Sequence, residues 1–341
     1  MKRLFIFAAT VVAIVLVTAT FAVVRINGFL HTPVAVDDDG AEFEVVSGTS
    51  FRAVSDKLAQ RGIIAHPGMF RLYVRWTGQA GAIQAGDYLI QKGTTPAQLL
   101  KQFTSGAVQL YSFTIIEGWS HWDLLEALHQ HPEIDASLTD EDWPALVEDL
   151  GADARHPEGL FLPETYRFPR NTADRDVLAQ AYRLMQTVLA EEWSGRADEI
   201  AVATPYEALI LASIVEKETA RPDERARIAG VFTRRLEKRM RLQTDPTVIY
   251  GIGRTFNGNL TRKDLLTDTP YNTYTRHGLP PTPIALPGRA AINAALHPAD
   301  GEELYFVATG LGDGSHAFSA TKEQHDEAVA DYLKRLRQKR Q

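Results

Sequence analysis

The stretch Leu211-Ala-Ser-Ile-Val-Glu-Lys-Glu-Thr219 places two glutamates at the end of an otherwise apolar segment. Thr204 is the expected N-cap of a helix containing this stretch, with Pro205 at its first position and Glu207 three residues after the cap. From Ala208 to Val215 every residue is apolar except one serine, so most faces of the helix must be buried. The segment therefore predicts a core helix with acidic groups near its end.

Glu218 is the predicted inward-facing carboxyl group of this helix. At about 100° per residue, it falls on the same face as Leu211 and Val215, whereas Glu216 points elsewhere. A carboxyl group on an apolar stripe is costly to ionise, which makes it a candidate proton donor near neutral pH. The alternative interpretation is an ordinary helix-end glutamate paired with Arg221, three residues further along.

The composition is that of a globular protein large enough for two domains. The chain has 341 residues, of which 45% are hydrophobic and 23% charged. The net charge of −7 argues against a nucleic-acid binder, because such proteins normally carry a basic face. The chain contains no cysteine, which excludes disulfides and thiolate metal sites.

The N-terminal segment has the features of a membrane anchor. Lys2 and Arg3 precede an uncharged run from Leu4 to Val24, in which threonines are the only polar residues. A membrane-spanning helix needs about 20 such residues, whereas a cleaved signal peptide has an apolar core of about 7–15 residues. Because the positive residues come first, we expect a single-pass helix with a cytoplasmic N terminus and an exported body. The alternative interpretation is a cleaved signal peptide.

Four regions along the chain predict an α+β fold. Residues 1–25 form the cytoplasmic end and the transmembrane anchor, 26–42 a linker with three consecutive aspartates, 43–106 a small α/β subdomain, and 107–341 a larger mixed domain. The predicted strands are 42–46, 86–90 and 110–116; a loop is expected at 158–168; and the predicted helices are 50–61, 67–76, 95–103, 120–129, 174–193, 205–219, 222–238 and 323–340.

The region from Leu242 to Pro298 is mostly loop-like but rich in amide, hydroxyl and aromatic groups. A long loop inside a compact domain is unusual unless it binds something. Amides and hydroxyls match the polar edges of a sugar or peptide, and tyrosine rings cover apolar sugar faces. The alternative interpretation is a structural cap over the core, in which Thr244 and Asp245 cap the helix that follows.

Asp245 and four histidines are candidates for two further kinds of site, a second catalytic carboxylate and a metal site. Asp245 suggests a second catalytic carboxylate, since most glycoside hydrolases use two, although its position suits a helix N-cap equally well. His277, His297, His316 and His325 do not fit a compact metal motif. We therefore predict neither a metal site nor a cofactor.

A series of motifs runs through the chain in a fixed order. They are Leu211-Ala-Ser-Ile-Val-Glu-Lys-Glu-Thr-Ala220, Leu242-Gln-Thr-Asp-Pro-Thr-Val-Ile-Tyr-Gly251, Tyr271-Asn-Thr-Tyr274, Gly278-Leu-Pro-Pro281, Pro287-Gly288, His316-Ala-Phe-Ser319 and His325. Together they resemble the bacterial endolytic murein transglycosylases, or YceG-like proteins. The resemblance covers nearly the whole chain, with the anchor and a LysM-like subdomain matching roughly 43–106. Thr282 and Leu286 depart from the residues common in this family, which questions the local shape of that loop and not the chemistry.

The resemblance implies a non-hydrolytic cut of the peptidoglycan strand between N-acetylmuramic acid (MurNAc) and N-acetylglucosamine (GlcNAc), which leaves a 1,6-anhydro ring on MurNAc. In such enzymes one glutamate protonates the glycosidic oxygen and then takes the proton of the C6 hydroxyl. We expect Glu218 in this role, because Glu218-Thr219 is similar to the Glu-Ser signature of other lytic transglycosylases. Glu216 is the supporting or fallback residue. The expected substrate contacts are Gln243, Thr244, Asp245, Tyr271, Asn272 and Tyr274.

The resemblance also implies a location and partners. The catalytic domain at 107–341 would lie in the periplasm, held to the inner membrane, and would act on nascent glycan strands near peptidoglycan synthases or the elongation machinery. Two rival functions stay open. One is a glycoside hydrolase with Glu218 as the acid and Asp245 activating water, and the other is a non-catalytic scaffold that binds peptidoglycan through the LysM-like subdomain.

Overall fold

The computed structural model describes residues 2–154 and 156–339. The chain divides into two compact units, one made of residues 1–111 with 167–171 and the other of residues 112–166 with 172–341. The mixture of helices and short strands, with an apolar helix at the N terminus, confirms the predicted fold class at that level. The outer limits predicted for the first and last domains, residues 1 and 341, lie outside the described residues.

The first unit is a two-stranded antiparallel sheet covered by helices. Its elements are α1 (Lys2–His31), β1 (Ala41–Val45), α2 (Phe51–Gln60), α3 (Pro67–Trp76), β2 (Gly86–Ile90) and α4 (Pro96–Ser105). Phe43 of β1 lies opposite Tyr88 of β2, and both rings pack on Phe103 of α4 with centroids 5.9 and 4.7 Å apart. The helix starts follow the sequence, since Ser50 and Thr95 accept hydrogen bonds from the first turns of α2 and α4.

Helix α1 is long and apolar enough to cross a membrane. A stretch of 18 residues within the segment Ala9–His31 has a mean hydropathy of 2.3, and none of that stretch is buried within the protein. The helix continues through residues 26–31, where the sequence predicts a linker. Leu30 is buried, and the Phe29 ring packs on Phe70 of α3 with centroids 6.3 Å apart. The end of α1 is therefore part of the core of the first unit.

The second unit is built around one buried helix, α8. All residues from Ala208 to Val215 are buried, as the apolar run predicts, and α7, α9, α10 and α12 pack around α8. The elements in chain order from residue 111 are β3 (Tyr111–Thr114), α5 (His121–Gln130), β4 (Ile134–Asp135), α6 (Trp143–Asp149), β5 (Thr165–Phe168), β6 (Thr172–Ala173), α7 (Asp174–Ser194), α8 (Pro205–Glu218), α9 (Arg225–Glu237), α10 (Asp245–Ile252), α11 (Arg262–Leu266), α12 (Arg289–Leu296), β7 (Tyr305–Ala308), β8 (His316–Ser319) and α13 (Lys322–Lys339).

Three sequence predictions between residues 158 and 298 are wrong in part. The loop predicted at 158–168 ends in strand β5, because Tyr166 and Phe168 alternate with exposed residues and are buried. The helix predicted from Pro222 begins at Arg225, since the residues before it form a turn in which Glu224 bonds to His316. The long loop predicted to Pro298 contains α12, whose small apolar residues pack on α8.

Candidate active site

Glu218 is the last residue of α8, where the chain leaves the helix at Thr219 in an extended conformation. The Thr244 hydroxyl donates a hydrogen bond to Oε1 of Glu218. Burial raises the pKa of Glu218; the nearby Asp245 also raises it, and the Thr244 hydrogen bond and the Arg235 charge partly oppose this rise. A carboxyl group in this environment is protonated over a wider pH range than an exposed glutamate.

Arg221 does not form the helix-end pair that the alternative interpretation expects. Its guanidinium donates to the Asp223 carboxylate at 2.6 Å and to the Asp313 carbonyl at 3.2 Å. Its backbone N–H donates to the Thr219 hydroxyl at 3.0 Å, which fixes the turn directly after the helix. Glu218 is therefore not paired with Arg221. Its hydrogen bond to Thr244 connects it instead to the 242–274 region.

Two backbone segments of that region are held side by side next to Glu218. The Gln243 N–H donates to the Thr273 carbonyl at 3.2 Å, and the Thr244 N–H donates to the Thr273 hydroxyl at 3.1 Å. Gln243 has a φ of 51°, in the left-handed region that non-glycine residues seldom adopt, and its side chain is exposed. Because the Thr244 hydroxyl bonds to Glu218, it does not cap α10, contrary to the cap interpretation.

Asp245 and Tyr274 form a second bonded pair beside Glu218. The Tyr274 hydroxyl donates to Oδ1 of Asp245 at 2.5 Å, and burial followed by this bond raises the pKa of Tyr274. Asp245 is exposed, whereas Thr244 is buried. The structure thus brings four predicted site residues together, with Glu218 and Thr244 on the inner side and Asp245 and Tyr274 on the outer side.

Asn272 and Tyr271 hold the loop that carries Tyr274. Asn272 is fully buried; its amide nitrogen donates to the carbonyls of residues 264, 265 and 267 at 3.2, 3.1 and 2.7 Å, and its amide oxygen accepts from the Tyr274 N–H at 2.8 Å. The Tyr271 hydroxyl shares a hydrogen bond with Thr282 at 2.9 Å, and its ring packs against Tyr250. Asn272 therefore shapes the loop from within.

Glu216 faces a different part of the second unit from Glu218, as the helical period predicts. Its Oε2 atom accepts a hydrogen bond from the Gly288 N–H at 3.0 Å, and Arg225 lies 3.8 Å from both Glu216 and Glu117. Burial raises the pKa of Glu216 despite the Gly288 bond, and Glu117 raises it further. A Cβ atom at Gly288 would lie 1.9 Å from the carboxylate of Glu117, so a larger residue there would displace this exposed side chain.

The sequence did not identify Arg235 as a site residue. Its buried guanidinium lies near Glu218, and its positive charge lowers the pKa of the Glu218 carboxyl group. It donates to the carbonyls of Leu304 at 2.6 Å, Leu242 at 2.9 Å and Arg241 at 3.2 Å. The group also lies 5.1 Å from the centre of the Tyr305 ring. Helical spacing could have identified Arg235, because it continues the buried face of α9.

The family model described as the YceG-like family matches residues 43–331, which include α8 and the whole 242–298 region. The chain belongs to the YceG-like family. It is 31% identical over 306 residues to a Bacillus subtilis protein named endolytic murein transglycosylase, covering 85% of this chain and 84% of the relative. A Streptococcus pneumoniae protein of the same name is 27% identical over 321 residues, and the match spans 58% of that longer protein.

A solved structure of a YceG-like protein agrees with this assignment. The crystal structure of the protein from Listeria monocytogenes is 27% identical in sequence and superposes with a TM-score of 0.53. The match covers 85% of this YceG-like chain and 99% of the Listeria chain. The shared fold therefore extends over most of both proteins.

Proposed function

We propose that this YceG-like chain is an endolytic murein transglycosylase. It cleaves the MurNAc–GlcNAc bond inside peptidoglycan strands without water and leaves 1,6-anhydroMurNAc ends. The observation that carries the proposal is one glutamate, Glu218, whose pKa is raised by burial and whose carboxyl group is bonded to Thr244. Its family membership and the names of its relatives support the same activity.

Glu218 performs both proton transfers in the proposed reaction. In the protonated form it gives its proton to the glycosidic oxygen as the bond to C1 of MurNAc breaks, and positive charge develops at C1. The resulting carboxylate takes the proton of the C6 hydroxyl, and the C6 oxygen bonds to C1 to close the anhydro ring. Burial favours the acid form at the start, while Thr244 and Arg235 stabilise the carboxylate between the two steps.

The remaining site residues divide into direct contacts and supports. Gln243, Asp245 and Tyr274 are proposed to contact the glycan, because they lie on the accessible side of the Glu218 cluster. Thr244 orients Glu218. Asn272 and Tyr271 hold the loop in place, and Glu216 fixes the backbone at Gly288.

A two-carboxylate hydrolase is the second candidate, because the Asp245 carboxylate lies near Glu218 and its charge raises the pKa of Glu218. Product mass separates the two functions, since hydrolysis adds a water that an anhydro product lacks. The test uses the full chain in detergent with uncrosslinked glycan strands, since Phe29 and Leu30 of α1 belong to the core. Anhydro ends are expected. Hydrated ends would establish the hydrolase, and no cleavage by folded protein that binds strands would favour the scaffold.

Removing the Thr244 hydroxyl should change the pH dependence of cleavage. Thr244→Val deletes the hydrogen bond to the Glu218 carboxylate, so the pKa of Glu218 should rise further. Because cleavage begins with protonated Glu218, kcat/KM falls on the alkaline side of that pKa, and this limb should move to higher pH. The measurement is the pH profile of kcat/KM. Thr244→Ser keeps the hydroxyl and should keep the limb in place; the same limb in all three proteins would contradict the role of Thr244.

We further propose how the chain is placed in the cell. Helix α1 spans the inner membrane once through Leu4–Val24, with its N terminus in the cytoplasm and the body in the periplasm, because Lys2 and Arg3 precede the span. Residues 43–106 form a LysM-like subdomain, and 107–341 form the catalytic domain. Nascent strands lie close to this membrane, which places the enzyme near peptidoglycan synthases and the elongation machinery.

A further inference from the structure

Helix α3 of the first unit has two apolar faces. Phe70 and Val74 point into the core and are fully buried. Leu72 and Trp76, one helical turn apart on another face, are 55% and 83% exposed. A surface helix normally presents polar residues on its outer face, so an outward-facing tryptophan beside a leucine indicates a surface that meets an apolar partner.

This outer face of α3 borders the end of the candidate membrane span. Leu72, Tyr73 and Trp76 line a groove of about 650 Å³ together with residues of α1. The α1 residues in its wall include Val23, Val24, Ile26 and Leu30. The apolar surface of the span therefore continues onto α3. The packing of Phe29 on Phe70 fixes the two helices to one another.

The groove lies at the level where the proposed span ends. Arg25 is the first charged residue after the uncharged run, and the groove begins two residues before it, at Val23, and extends beyond it. Tryptophan prefers the boundary between hydrocarbon and headgroups, where its ring is partly apolar and its N–H stays hydrated. Arg75, exposed on α3, adds a positive charge that suits lipid phosphates.

We propose that the outer face of α3, formed by Leu72, Tyr73 and Trp76, rests in the interfacial layer of the bilayer that α1 crosses. The occupant of the groove is lipid, contributed by the outer leaflet around α1. The first unit is then held to the membrane by a surface contact as well as by the anchor. This inference rests on the proposed insertion of α1.

Single labelled cysteines test this contact directly, because the native chain contains none. Leu72→Cys and Trp76→Cys are each labelled with an environment-sensitive fluorophore in the full chain, which is reconstituted in phosphatidylcholine–phosphatidylglycerol vesicles. Lipid-borne nitroxide is then added as the quencher. Ile14→Cys in the span reports insertion of α1. Thr49→Cys, exposed in the turn between β1 and α2 and outside the groove, is the matched control.

We expect most of the fluorescence to be lost at positions 14, 72 and 76 and little at 49. Quenching at 14, with 72 and 76 behaving like 49, would overturn the surface contact and leave the anchor standing. Strong fluorescence at 14 would overturn the anchor and the contact together, while the cleavage assay would still report on the enzyme. Circular dichroism checks folding, and the exposure of Leu72 and Trp76 makes their replacement compatible with the native fold.

Discussion

Glu218→Gln should eliminate anhydro-ended products, with a loss of about 10³-fold or more in kcat/KM. The amide can neither donate a proton to the glycosidic oxygen nor take one from the C6 hydroxyl, so both steps fail. Mass analysis of strands digested by the full chain measures the loss. Glu216→Gln is the matched control, since it makes the same change two residues earlier, in a side chain bonded to Gly288 and not to Thr244. A loss with Glu216→Gln as large as with Glu218→Gln would remove Glu218 from its assigned role.

The stability of Glu218→Gln separates lost chemistry from lost structure. Burial raises the folded-state pKa of Glu218, so the wild type is favoured below the unfolded-state value of about 4.3 and loses this contribution as the pH rises through the folded-state pKa. The amide does not ionise. At neutral pH and above, Glu218→Gln should therefore melt at a higher temperature than the wild type, and the difference should shrink in acid. If Glu218→Gln melted at a lower temperature than the wild type at pH 7, its inactivity would be explained by lost structure and not by lost chemistry.

Asn272→Asp should have the largest effect on stability among changes near the site. The substitution keeps the shape and the acceptor for the Tyr274 N–H, but it replaces a donor that bonds to three backbone carbonyls with a carboxyl oxygen. An uncompensated charge at this fully buried position costs about 3–5 kcal/mol. The free energy of unfolding from denaturant titration is the measurement, and the loss should be smaller in acid, where the carboxyl is protonated.

Asn259→Asp provides the control for this change, because Asn259 is exposed in the same unit. The same chemical substitution should alter the free energy of unfolding there by no more than about 0.5 kcal/mol. Equal effects at the two positions would mean that the bonds of Asn272 do not hold the loop. Reduced cleavage by Asn272→Asp at temperatures where it stays folded would connect the loop to the position of Tyr274.

The sequence predicts α8 and the direction of Glu218 because both depend on local periodicity. An apolar run of eight residues with a single serine, too short to cross a membrane, is expected to be buried in the protein, and the helical period then separates Glu218 from Glu216. The partners of these glutamates are not local. Arg235 and Gly288 come from distant parts of the chain, and their approach depends on how α9 and the residues before α12 pack against α8.

The loop residues show a second limit, which is competition between hydrogen-bond partners. Thr244 stands where a helix cap is expected, yet its hydroxyl bonds to Glu218. Asn272 looks like a ligand-binding amide, yet its nitrogen is fully used by backbone carbonyls inside the turn. A polar side chain in a loop can form hydrogen bonds with a ligand or with the backbone, and the choice depends on which groups the fold brings near it.

With α1 inserted in the membrane as proposed, its unbroken path into the first unit would link the height of that unit above the bilayer to its rotation about the span. Each residue inserted between Val24 and Phe29 would lift the unit by about 1.5 Å and turn it by about 100°. Insertion of a single residue would rotate Trp76 about the helix axis by about 100°. Insertion of about seven residues, which is two full turns, would nearly restore its original orientation. A flexible linker would accommodate an insertion of any length, whereas this continuous helix favours insertions of whole helical turns.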